Sequence, residues 1–387
     1  MKTNKIYSKH NSFSQIYSSK AVFFEKIKKE ILTLISEEKS LNNFSDYEKN
    51  ILIKVRIDLL EQKDLKSHQS MRFSIKENIL DEIIVLNNQN LLKYLIHRYR
   101  YEIFPQEKVI TEYPPLIQIE PSSFCNYRCV FCFMTDNTFN KKSSGHMGKM
   151  GFETYKKIID QIENKIEFVT LASRGEPFAC PDIIKMLNYS SGKFLNFKIN
   201  TNASLLDEKK IHAILSGAVT TLVISADAAD KELYSKLRVN GELSKVIKNI
   251  ELFNKIKNTH YSDNKIVTRV SGVKISNKQN FADMTKTWGG LVDQVAFVDY
   301  NPWENCYEAQ ENDLETPCSD LWRRMFVWWD GIVNPCDVDY KSNLKVGNID
   351  DKTISQIWNG KKYNELRNDH LLKLRKNHSP CKSCYVV

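Results

Sequence analysis

Apolar residues between Phe23 and about Arg100 recur at helical spacing: Phe23, Phe24, Ile27, Ile31 and Leu34, then the run ILIKVRIDLL, then LLKYLIHRYRY. Positions three and four apart share one helix face, so residues 1–110 read as an all-helical amino-terminal region. The segment FPQEKVITEYPP follows, and its Pro105, Pro114 and Pro115 cannot continue a helix, which predicts a boundary near residue 110. Beyond it the period changes. Short apolar runs at 116–120, 167–172, 197–200, 220–225, 266–273 and 291–298 alternate with amphipathic stretches such as FETYKKIIDQIE, DEKKIHAILSG and LSKVIKNIELFNKI. This repetition predicts an α/β fold with a parallel sheet over residues 111–300, and chemistry at the carboxyl ends of its strands. Periodicity alone does not separate a partial barrel from an open doubly wound sheet. From 301 to 387 the chain turns aromatic and cysteine-rich, with CSDLWRRMFVWWDGIVNPC, VGNIDDKTISQIWNG and a closing CKSC, the pattern of a small domain held together by metal.

No apolar run approaches the roughly 18 residues of a membrane span. The opening MKTNKIYSKHNSFSQIYSSK has neither the apolar stretch nor the cleavage pattern of a secretory signal, so a cytoplasmic protein with no membrane partner is expected. A net charge of +9 suits several kinds of acidic partner and selects none. The lysines are scattered, and no basic block interleaved with aromatics argues for a nucleic-acid partner. Nine cysteines are many for a reducing compartment, where disulfides are disfavoured, so clustered ones are read first as metal ligands.

Within SSFCNYRCVFCFM, directly after the first predicted barrel strand, Cys125, Cys129 and Cys132 are spaced C-x3-C-x2-C. A structural zinc site needs a fourth ligand and usually paired knuckles, whereas three close thiolates suit an iron–sulfur cluster with one iron left open. Three chance cysteines or an incomplete zinc knuckle are the competing readings. The motif resembles that of the radical S-adenosylmethionine (SAM) superfamily, C-x3-C-x-aromatic-C, with Phe131 in the aromatic place, and the resemblance covers roughly residues 113–300. It implies a partial (β/α)6 barrel and a [4Fe–4S] cluster on the three cysteines. The SAM amino and carboxylate groups would chelate the open iron, with Phe131 near the adenine.

Later motifs fall where that fold needs them. SRGEP, after the second barrel strand, is similar to the family's GGE motif: Gly175 and Glu176 match, and Arg174 replaces the first glycine. Asn200 and Asn202 of NTN, and Ser225 and Asp227 of SAD, match positions that imply contacts to the ribose and the methionine carboxylate. On their own the asparagines would read as strand-end turn residues, Asp227 as a helix cap and Glu176 as a surface carboxylate. Arg238 resembles a family position as well, with a structural role its alternative.

Cys318, Cys336, Cys381 and Cys384, together with IVNPC, VGNID and ISQIWNG, resemble the twitch domain, a shortened SPASM domain, over about 318–387. A full SPASM domain continues with further cysteines, so one auxiliary [4Fe–4S] cluster is expected. Structural zinc is the alternative for two separated pairs. Cys180 reads as an incidental buried thiol, and Cys306 as a residue able to replace one of the four ligands.

The resemblance implies a radical SAM oxidoreductase. SAM is cleaved reductively to a 5′-deoxyadenosyl radical, hydrogen is taken from a small, sugar-like substrate, and the auxiliary cluster accepts the remaining electron. A flavodoxin- or ferredoxin-like reductant is the implied partner. The alternatives are a maturase acting on a ribosomally made peptide and, from a different class, an iron–sulfur electron-transfer or scaffold protein. No residue stands out as the catalytic acid or base.

Overall fold

The strands expected of the barrel follow one another as β2 (Leu116–Ile119), β4 (Phe168–Leu171), β5 (Asn196–Thr201), β6 (Thr221–Ser225), β8 (Val267–Lys274) and β9 (Gln294–Asp299) in a computed structural model that describes residues 6–8, 12–67, 71–304 and 306–387. Each is parallel to the next in chain order. Every residue of β2 and β4 is buried, as strands covered on both faces must be, which is why they read as mainly apolar runs with Gln118 and Thr170 the polar exceptions. The helices between them are amphipathic. Phe152–Ile162 buries Tyr155, Ile158, Ile159 and Ile162 on one stripe, and Leu243–His260 buries Val246, Ile250 and Phe253 in the same way.

The sheet does not stop at these strands. It also takes in β1 (Phe13–Ser18), β10 (Arg324–Val327), β11 (Ile332–Asn334) and β12 (Gly347–Asn348), and its ten strands pair in the order β1-β9-β8-β6-β5-β4-β2-β10-β11-β12. The amino-terminal region is therefore not all-helical. β1 runs antiparallel along β9, and only its last residue is buried, so FSQIYS carries no apolar alternation to announce it. The cysteine-rich segment is likewise more than an appendage: β10 runs parallel to β2 in register, Arg324 against Leu116 and Val327 against Ile119. Two further residues of the cysteine loop, β3 (Arg128–Cys129), pair antiparallel with β7 (Arg238–Val239).

Three helices bury most of the predicted amino-terminal stripes, Phe24–Ser36, Asp46–Glu61 and Asn88–Glu102, whereas Phe23 lies in the turn before the first of them and stays exposed. The second starts with a capping box between Ser45 and Glu48. The third covers the amino-terminal ends of the barrel strands, where His97 stacks on Phe168 with ring centroids 3.5 Å apart and Leu116 joins the same apolar cluster. The proline-rich boundary differs from expectation, because Phe104–Glu107 forms a further short helix with Pro105 in its first turn. Proline is tolerated there since its missing N–H would have had no helical partner. Among the described residues no helix is long and apolar enough to cross a membrane.

One buried ion pair ties the carboxyl-terminal segment to the barrel. Glu120, just past β2, is 1% exposed and accepts from Arg174 Nε and Nη2, both at 2.7 Å; Arg174 Nη1 donates to the Tyr340 carbonyl at 2.8 Å. The guanidinium lies 4.2 Å from the centre of the Trp328 ring. Breaking one half of such a pair strands a buried charge, at roughly 3–5 kcal/mol. Arg174→Met is expected to destabilise the protein by about that much in chemical denaturation, and Glu120→Gln with Arg174→Met by less than the single change. Equal stability of Arg174→Met and the parent would contradict this assignment.

Candidate active site

The loop after β2 carries the first three cysteines, and its course is set by a close approach. A Cβ on Gly175 would stand 2.2 Å from the Ser122 carbonyl oxygen and 2.6 Å from that of Phe124, so only glycine lets the loop after β4 press on the segment leading into Cys125. The Glu176 N–H then donates to the Phe124 carbonyl at 2.9 Å. The glycine missing from the expected motif is replaced by an arginine that points the other way, into the pair with Glu120.

Glu176 is 2% exposed, so it is not the surface carboxylate it would be by itself. It accepts from Thr201 Oγ1 at 2.6 Å, the Asn202 N–H at 2.8 Å and the Phe178 N–H at 3.2 Å. Burial raises its pKa above the usual carboxylate value, although these donors oppose the rise. Asn202 Nδ2 in turn donates to Asn126 Oδ1 at 3.0 Å and points at Cys125 Sγ, 3.9 Å away. Asp227 is fully buried, accepting from the Val273 N–H at 2.7 Å and pairing with Arg238 Nε at 2.6 Å. Arg238 Nη1 reaches Cys129 Sγ at 3.7 Å, and its guanidinium lies 5.6 Å from the Phe131 ring centre.

Each of the three thiols thus meets nitrogen donors: Cys125 the Tyr127 N–H at 3.4 Å, Cys132 the Met134 N–H at 3.5 Å, and Cys129 the Arg238 guanidinium. Burial pushes the Cys125 thiol up to about 12 and raises Cys129 and Cys132 as well. Half-buried or buried sulfurs with N–H donors directed at them fit metal-bound thiolates, whose charge both metal and donors stabilise. Asn200 and Ser225 stand apart. Asn200 faces the barrel interior with a buried Oδ1 that makes no hydrogen bond among the described residues, and Ser225 closes β6 half-buried opposite Ser271.

Cys318, Cys336 and the pair Cys381 and Cys384 come from three places in the chain and line a single pocket with His370 and Arg375. His370 Nδ1 accepts from the Cys318 N–H at 3.2 Å, and Arg375 Nη2 donates to the Cys384 carbonyl at 3.0 Å. Burial, and then neighbouring negative groups that include the other cysteines, raise the thiols of Cys336 and Cys381. This donor set fits an iron–sulfur cluster. Among the described residues no three His, Cys, Asp or Glu groups converge tightly enough for a single ion. Cys306 lies beside this pocket without lining it, and its thiol donates to the Val338 carbonyl at 3.1 Å. Cys180, 2% exposed, donates to the Met150 carbonyl at 3.5 Å.

Sequence reasoning missed the charged interior of the barrel. Its signal was present in β5 and β8, where Lys198 and Arg269 stand mid-strand beside apolar residues. It also left open what Arg238 does, which the antiparallel pairing of β3 with β7 now places against Cys129.

Gly175→Ala is expected to displace the 122–124 segment and to lower iron incorporation at the Cys125 loop, reducing total iron by up to about half after anaerobic reconstitution. Full iron content in that variant would contradict the role given to the glycine.

A family model of the radical SAM superfamily matches residues 119–286, and a model of the SPASM iron–sulfur cluster-binding domain matches residues 318–385. The AdoMet-dependent heme synthase of Methanosarcina barkeri is 27% identical over 193 residues, 50% of this chain and 51% of that protein. The chain therefore spans about half the length of that relative. The S-adenosyl-L-methionine-dependent 2-deoxy-scyllo-inosamine dehydrogenase of Niallia circulans is 22% identical over 281 residues, 70% of this chain and 93% of its own length. Among solved structures, Streptococcus suis SuiB bound to precursor peptide SuiA aligns with a TM-score of 0.52 at 15% identity, over 92% of this chain and 86% of that one, a likeness of fold. The cofactors follow from the domains: SAM and a [4Fe–4S] cluster from the first, auxiliary iron–sulfur from the second. The chain carries a radical SAM domain followed by a carboxyl-terminal SPASM iron–sulfur domain.

Proposed function

We propose that this radical SAM enzyme is an oxidoreductase that takes a hydrogen atom from a small, sugar-like substrate held inside the barrel, with the auxiliary site as electron acceptor. Cys125, Cys129 and Cys132 would hold the first cluster, and Cys318, Cys336, Cys381 and Cys384 the auxiliary one. When bound, these groups supply the 5′-deoxyadenosyl radical and a local electron sink. The protein's own residues supply position and isolation. Asn202 and Arg238 direct donors at Cys125 and Cys129, Asp227 holds Arg238, and Glu176 pins the turn beneath Cys125. Phe131, Gly175, Glu176, Asn200, Asn202, Ser225 and Asp227 are proposed around SAM, most of them acting through this network. The helix Asn88–Glu102 lies at the opposite end of the barrel, where Arg98, Tyr101 and Glu102 line the cavity.

The observation that carries the reading is the cavity of about 360 Å³ inside the barrel, lined by both polar and apolar groups and including Asn200, Ser271 and Tyr300. Its size suits a small molecule. The dehydrogenase among the relatives is the named counterpart of that activity. The second reading is modification of a ribosomally made peptide, prompted by SuiB, which was solved with its precursor peptide. A cytoplasmic setting with a flavodoxin- or ferredoxin-like reductant accompanies either.

With SAM and dithionite under anaerobic conditions, the protein is expected to form 5′-deoxyadenosine. Replacing Cys125, Cys129 and Cys132 together by Ala should abolish it and leave about four irons per chain. Nucleoside formation by that variant, measured by liquid chromatography and mass spectrometry, would overturn the proposal.

A further inference from the structure

The barrel cavity reaches from Asn200, Tyr300 and Trp303 at the carboxyl ends of the strands down to Tyr101, Leu116 and Phe168 at the amino ends. Asn196, Lys198 and Asn200 all line it, as residues two apart on one face of β5 must. The acids near its inner end already have partners. Glu82 faces Arg269 Nη2 at 3.5 Å and accepts from Asn196 Nδ2 at 3.3 Å. Glu102 is held by Arg98 and by Lys76, the latter at 3.7 Å. Asp320 is shared between Arg323 at 3.0 Å and Arg324 at 3.3 Å, and Asp337 approaches Arg324 as well.

Lys198 has no such partner: among the described residues its ammonium makes no hydrogen bond or ion pair. The Tyr101 hydroxyl also makes no hydrogen bond among them, although its ring packs against the guanidinium groups of Arg98 and Arg323 at 5.3 and 5.4 Å. Enclosing an ammonium without a counter-charge is costly, so it either sheds its proton or takes an anion. The surroundings carry a positive field. Burial would raise the Tyr101 phenol, yet Arg324, Arg323 and Lys198 together hold it below its usual value.

We propose that the inner end of this cavity is an anion subsite, in which Lys198, Arg324 and the Tyr101 hydroxyl receive a carboxylate or phosphate carried by the substrate. The inference rests on the reading above that the cavity is where substrate binds, and it narrows the substrate to an anionic one. Lys198 supplies a charge with no hydrogen-bonded partner among the described residues, Arg324 a guanidinium beside Asp320 and Asp337, and Tyr101 a hydroxyl donor. The anionic group at the inner end would leave the rest of the molecule directed toward Asn200 and the cysteine loop.

The test is calorimetric titration of the reconstituted protein with inorganic phosphate and, separately, with acetate, in the absence of SAM and reductant. One anion per chain is expected. Lys198→Met should weaken binding about tenfold or more and Tyr101→Phe about threefold, while Lys198→Arg, which keeps the charge, should retain most of it. Lys255→Met, on an exposed helix face, should have no effect. Phosphate binding the tighter supports a phosphorylated substrate, and acetate the tighter a carboxylic acid. No saturable binding of either anion overturns the subsite, as does unchanged binding in Lys198→Met. Circular dichroism establishes folding, and if Lys198→Met does not fold, unchanged binding in Tyr101→Phe overturns the subsite in its place. Because no SAM is present, failure here is distinct from failure of the radical reaction, which 5′-deoxyadenosine formation reads separately.

Discussion

Three carboxylates, Glu120, Glu176 and Asp227, are buried just past the carboxyl ends of barrel strands, and each is held by donors from a neighbouring loop. A buried charge that loses its partner is far more costly than an exposed one, so these contacts leave the loops little freedom. Glu120 binds the loop after β4 through Arg174, Glu176 binds the end of β5, and Asp227 binds Arg238 and through it the Cys129 sulfur. The cysteine loop is therefore held from several sides by groups whose pairing cannot be relaxed cheaply. A catalytic constellation needs that kind of support from beneath to keep its geometry.

The same constraint joins the two cysteine sets. Because β10 extends the sheet directly from β2, the segment carrying Cys318 and Cys336 starts in register with the strand that leads into Cys125. Phe133, Met134, Phe139, Val338 and Tyr340 form one apolar cluster, against which Cys125, Cys132, Cys318, Cys336 and Cys384 all pack. Arg174 crosses the same boundary to reach the Tyr340 carbonyl. Shared packing of this kind fixes the separation between the two cysteine sets.

The barrel strands are legible in the sequence because both faces of β2 and β4 are buried and read as apolar runs, and the cysteine spacing is legible because it is local. What stays hidden depends on partners distant in the chain. β1 is an edge strand whose evidence lies in its pairing with β9. Pro105 breaks a helix in most positions and starts one here. Arg174 stands in sequence only as a departure from glycine, and its role becomes visible with Glu120 and Trp328 around it. Lys198 sits mid-strand, and its place on the cavity wall becomes visible only with the neighbouring strands around it.

The central claim is that Cys125, Cys129 and Cys132 leave one iron open for SAM. Electron–nuclear double resonance on the reduced protein, with SAM labelled with nitrogen-15 in its amino group, tests this without turnover. The account predicts a hyperfine coupling between the label and a reduced cluster. SAM bound to the protein with no such coupling would contradict it.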